Sequence, residues 1–79
     1  MKADAALMKR MNREAVLRAL KARGRATKPE LAEATGLSVV TVGALMEGML
    51  GEGEALPDGV APSRGGRPSK AYRFNKNRR

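Results

Sequence analysis

Seventy-nine residues with a formal net charge of +8 and a pI near 10.9 make one small basic domain, of a size that buries about 60 to 65% of the surface its unfolded chain exposes. The chain has neither Cys nor His, which excludes disulfide scaffolds and Cys/His zinc sites and removes the usual general base. No apolar run approaches the ~18 residues of a membrane span, and the stretch from Met1 to Leu20 is too charged for a secretory signal. A cytoplasmic protein is expected, with no membrane, metal or cofactor as partner.

Charge is distributed in three blocks. Residues 1–28 hold nine Lys/Arg against two acids, residues 29–63 hold six acids and no base, and residues 64–79 hold seven bases and no acid. A balance of this kind points to an anionic partner, with nucleic acid first. The bland reading of the same blocks is a solubilising surface with a disordered basic tail.

In chain order, residues 2–23 are rich in Ala, Leu, Met, Lys and Arg with no Gly or Pro, which predicts a helix that Gly24 ends. Val16, Leu17 and Leu20 fall in one arc of its wheel, whereas Leu7, Met8 and Met11 fall in another. Two arrangements fit. Either a core-packing helix begins at Asn12 as N-cap, or one long helix shows one face to its own core and another to a partner. The second makes residues 1–11 an extension, with Leu7, Met8 and Met11 as a dimer contact and a second copy of the chain as the simplest partner.

Arg25 and Ala26 leave room for a residue or two of edge strand. Thr27 reads as an N-cap with Glu30 as its capping-box partner and Pro29 in the first turn, so a helix starts at Lys28. Gly36 ends it, and Ser38 offers a new N-cap two residues later. Val42, Leu45, Met46, Met49 and Leu50 then recur at three and four, the apolar face of a second helix over residues 39–50. Two helices joined by so short a glycine turn predict a helix-turn-helix.

Gly51, Glu52 and Gly53 break the pattern. Glu54, Ala55 and Leu56 then read as a short strand stopped by the turn signal Pro57-Asp58-Gly59. Residues 71–75 alternate and read as the returning strand, with Tyr72 and Phe74 on one face. A two-stranded hairpin is only marginal alone, so Leu56, Tyr72 and Phe74 are expected to pack on the helices. Two strands joined by a basic Gly/Pro loop make a wing. The fold class is therefore mainly α with a small β-hairpin, a winged helix-turn-helix of three helices and a wing over residues 12–75, with residues 76–79 as a basic tail.

In a helix-turn-helix the early residues of the second helix meet base edges. Here these are Val39, Val40, Thr41, Gly43 and Ala44, with no charge and no bidentate donor, so thymine methyls and a weak A·T preference are the expected readout. Ser38 and Lys28 are candidate phosphate anchors. In the loop, Gly66 lets the backbone lie close to DNA and Arg67 beside Pro68 suits a narrow minor groove, with Arg64, Lys70 and Arg73 on phosphates. The competing reading is that the apolar helix face packs on another protein.

The run NREAVLRAL (Asn12 to Leu20), PELAEATGLS (Pro29 to Ser38), the Thr41-Val42 pair and GRP (Gly66 to Pro68) resemble the N-terminal winged-helix domain of ROK-family sugar-responsive repressors, and more broadly MarR-type regulators. The resemblance covers residues 12–75. It implies a sequence-preferring double-stranded DNA-binding protein and transcriptional regulator, with residues 39–50 in the major groove and the GRP wing in the minor groove. A dimer would read a near-palindrome with half-sites about one helical turn apart. Two departures stand out: the family's large sugar-binding domain is not within these 79 residues, and family members place Arg, Lys, Ser or Gln where this helix has Val39, Val40, Gly43 and Ala44. The acids show no paired arrangement with a nucleophile, so no enzyme is expected.

Overall fold

The computed structural model describes residues 5–62 and 68–76. Helix α1 (Ala5–Arg23) is followed by the two-residue strand β1 (Ala26–Thr27), helices α2 (Lys28–Thr35) and α3 (Val39–Gly51), and strands β2 (Ala55–Ala61) and β3 (Ser69–Phe74). Among the described residues the architecture is α+β: three helices and a small antiparallel sheet of order β1-β3-β2.

Local chemistry explains the helix ends. Thr27 Oγ1 accepts from the Glu30 N–H (3.3 Å) and Glu30 Oε1 accepts from the Thr27 N–H (2.9 Å), a complete capping box with Pro29 in the first turn. Gly36 ends α2 in the left-handed region (φ 79), a conformation a side chain strains to adopt. Thr35 Oγ1 donates to Leu31 O (2.7 Å) and accepts from the Leu37 N–H (3.3 Å), which ties the turn to the helix it leaves. Ser38 then caps α3, its Oγ accepting from the Thr41 N–H (3.0 Å). Helix α1 is one continuous element from Ala5, so no break occurs at Asn12.

The core joins Val16 and Leu20 of α1, Leu31 and Ala32 of α2, Val42, Leu45, Met46 and Met49 of α3, and Ala26, Ala55 and Tyr72 of the sheet, all buried. Leu17, Leu50 and Phe74 pack on its edge. Buried apolar side chains are the main stabilising term, at roughly 1.5–3 kcal/mol for each large one. Two lysines cover the aromatic rings: Lys21 Nζ lies 4.5 Å from the Phe74 centroid and Lys28 Nζ lies 5.7 Å from that of Tyr72.

The sheet corrects two expectations. Pro57-Asp58-Gly59 does not stop β2; the strand runs to Ala61, and the irregularity falls between Pro57, opposite Tyr72, and Val60, opposite Lys70. Asp58 and Gly59 together face one residue of β3, a β-bulge, with Gly59 at φ 70. Pro57 is tolerated because β2 is an edge strand, where a missing N–H leaves no ladder bond broken. Leu56 is not the core residue of β2: it pairs with exposed Arg73, while Ala55 pairs with Phe74 and is fully buried. The anticipated edge strand is present as β1, which pairs Ala26 with Tyr72 and Thr27 with Ala71.

Two arginines hold elements together that are distant in sequence. Arg13 of α1 donates to Glu52 Oε1 (2.5 Å) and, through Nε, to Glu54 Oε1 (3.1 Å), which fastens α1 to the α3–β2 connection. Arg25 donates to Asp58 O (3.0 Å) and Val60 O (2.7 Å), so its guanidinium grips the bulge. Asn75 completes the sheet end, its amide donating to Gly53 O (2.9 Å).

Candidate nucleic-acid interface

The exposed side of α3 follows from the burial of the other. Val42, Leu45, Met46 and Met49 point inward, which leaves Val39, Val40 and Ala44 exposed and Thr41 and Gly43 half-buried. Val40 is 83% exposed, the most open of the large apolar side chains among the described residues. The sole charge on α3 is Glu47, on the same stripe as Val40 and Ala44 at helical spacing.

Cations reach this stripe from other elements. Lys28, in the first turn of α2, runs beside Gly43, where a Cβ would meet its Cδ at 3.9 Å. The absence of a side chain at Gly43 thus leaves a track along which a lysine of α2 lies against α3. On the other flank, Lys9 and Asn12 of α1 line a groove of about 420 Å³ together with Met8, Val40, Thr41 and Ala44. Lys9 is not marked by any motif, and Asn12 is marked only as a possible N-cap and as the start of the NREAVLRAL run; both come to the site because α1 is one helix from Ala5 to Arg23.

Hydrogen bonding limits what the caps can offer a ligand. Ser38 Oγ donates to Thr41 Oγ1 (2.9 Å) while accepting from the Thr41 N–H, so its proton is already used and the hydroxyl proton of Thr41 is the one left to give. At the start of α2, the Glu30 carboxylate is held below its usual range first by the Thr27 backbone N–H and then by the Arg23 charge. Arg23 Nη2 lies 3.3 Å from Glu30 Oε2, so these two charges offset each other and leave Lys28 as the local cation.

On the hairpin, Lys70 and Arg73 are both exposed, but their separation of three places them on opposite faces of β3. Lys70 therefore belongs to the loop end of the hairpin and Arg73 to the outer face beside Leu56. Arg64, Gly66 and Arg67 lie outside the described residues. Leu7, Met8 and Met11 are exposed on the N-terminal half of α1, and Met8 shares its groove with the α3 stripe. Of the supposed dimer contact, Met8 thus lies beside the supposed DNA-reading face, and Leu7 and Met11 do not line that groove.

Among the described residues no cluster of Asp and Glu could hold a metal ion, and no single helix is long and apolar enough to cross a membrane. No protein-family model matches the chain, and no curated protein matches it.

Proposed function

We propose that the chain is a winged helix-turn-helix domain that binds double-stranded DNA with a sequence preference and acts as a small transcriptional regulator. Helix α3 enters the major groove, and the basic β2–β3 connection follows the minor groove. The observation that carries this reading is the frame of lysines around an apolar helix: Lys28 beside Gly43 on one flank and Lys9 beside Val40 and Ala44 on the other. Such a frame suits a groove whose walls are phosphate and whose floor offers thymine methyl groups. The 113° bend between α2 and α3 suits the same arrangement, as do the seven bases of residues 64–79.

A second reading has one observation in its favour. The α3 stripe is apolar and continuous with Met8, which fits a protein partner as well as a duplex. Salt separates the two. In fluorescence anisotropy with an A·T-rich and a G·C-rich duplex, log K should fall with log salt at about −0.9 per phosphate contacted, so four contacts give a slope near −3.6. Affinity should be higher for the A·T-rich duplex. Binding that ignores salt, or no binding at low salt, would overturn the DNA reading.

A further inference from the structure

Exposed apolar side chains of α1 and α3 meet at one groove, where Met8 lies with Val40 and Ala44. Among the described residues six large ones are exposed, and five of them lie on the first half of α1 or the start of α3: Leu7, Met8, Met11, Val39 and Val40. The sixth, Val60, is on β2. Two charges of opposite sign border this surface. Lys9 lines the groove, and Glu47 continues the α3 stripe one turn beyond Ala44. Both are exposed, and among the described residues neither has an ion-pair partner.

We infer that the groove between α1 and α3 is a self-association site whose occupant is a second copy of the chain, and that this association competes with DNA. The surface is self-complementary. Residues 5–12 of α1 contribute apolar side chains with Lys9 and Arg10 and no acid, and α3 contributes apolar side chains with Glu47 and no base. A two-fold arrangement lays the α1 segment of each copy across α3 of the other, and brings each Lys9 to its partner's Glu47. The same contact covers Met8, Val40 and Ala44 twice over. Covering exposed apolar area drives such association, and the charges fix its direction.

The cost falls on DNA. Val40, Thr41 and Ala44 cannot meet a partner helix and base edges at once, so the associated form is silent and the single chain is the form that reads a duplex. This replaces the dimer on a near-palindrome with one chain per site. Competition rests on the DNA-binding reading; self-association does not, and the two are measured separately.

Sedimentation velocity of the whole chain without DNA, over a range of concentrations, should show a monomer–dimer equilibrium. Lys9→Glu alone and Glu47→Lys alone each set like charges against each other at both symmetric contacts, and should weaken the dimer by about tenfold. An equimolar mixture of the two variants restores both pairs and should recover a heterodimer. Both positions are exposed on helices, and circular dichroism checks that the fold is kept. Adding duplex to the parent should shrink the dimer boundary and yield complexes of one chain per site. A chain that stays monomeric at all concentrations, or variants that dimerise like the parent, would overturn the site. Dimers that bind DNA without dissociating would overturn the competition while leaving the DNA reading intact.

Discussion

Lys28 Nζ lies 4.0 Å from where a Cβ on Gly43 would stand, so a charge from the start of α2 occupies the flank of α3. Glycine inside a helix weakens it by up to ~1 kcal/mol relative to Ala. Here the weakening accompanies room for the lysine. A methyl group fits the space, since 3.9 and 4.0 Å are ordinary contacts. Gly43→Ala should therefore stabilise the domain by up to ~1 kcal/mol, a rise in Tm of roughly 4–8 °C. Gly43→Gln should push Lys28 away and weaken DNA binding. Thermal melts and anisotropy on the two variants check the pair.

Lys28→Ala should reduce the salt slope of DNA binding by about 0.9 if the ammonium meets one phosphate. Lys28→Arg should retain the slope. Arg67→Ala should remove the preference for A·T-rich duplex, as expected of a side chain in a narrow minor groove. Anisotropy at several salt concentrations with both duplexes distinguishes a lost phosphate contact from a lost preference.

Arg13→Met should cost about 1 kcal/mol, or roughly 4–8 °C in Tm, because Glu52 and Glu54 lose the guanidinium they share. The residue is far in sequence from both partners but binds α1 to the chain leaving α3, so the loss should appear as global destabilisation in urea. A double-mutant cycle with Glu54→Gln should give a coupling of the same order.

Acid should remove the contribution of the α2 cap. The Glu30 carboxyl is held below its ordinary value of 4.5, first by the Thr27 backbone N–H. A folded-state pKa below the unfolded one means the stabilisation is fully present above about pH 4.5 and is lost as pH falls through the lower, folded value. Glu30→Gln keeps a carbonyl acceptor for Thr27 but does not titrate. The difference in stability between parent and variant should be largest near neutral pH and vanish in acid, which urea titrations between pH 2.5 and 7 can follow (about two pH units either side of the ordinary value).

The helix boundaries were legible because they depend on neighbours in sequence. Thr27, Glu30, Gly36 and Ser38 each act within three or four residues, and the apolar spacing from Val42 to Met49 marks the buried face directly. The sheet was less legible. Pro57-Asp58-Gly59 has the composition of a turn, and only the partner strand makes it a bulge inside a longer β2. The same register exchanges Leu56 for Ala55 in the core, since a shift of one residue reverses every side chain. Arg25 is the missing partner: it grips the bulge through Asp58 O and Val60 O from over 30 residues away. At the site, the apolar α3 stripe could be read from the sequence, but the lysines beside it could not. Lys9 depends on α1 continuing past Asn12, and Lys28 on the empty side of Gly43.

The sheet order has a consequence for how the molecule is made. β1 and β2 are not ladder partners; each pairs with β3, which comes last of the three in chain order. During synthesis the three helices and both outer strands are available before the strand that joins them. Thr27 then waits for Ala71 and Ala26 for Tyr72, across a closure of more than 40 residues. Non-local pairings of this kind are the slow step in small domains. The helices are expected to collapse early and the sheet to form last, so that cooperative folding is completed only once Tyr72 has left the ribosome.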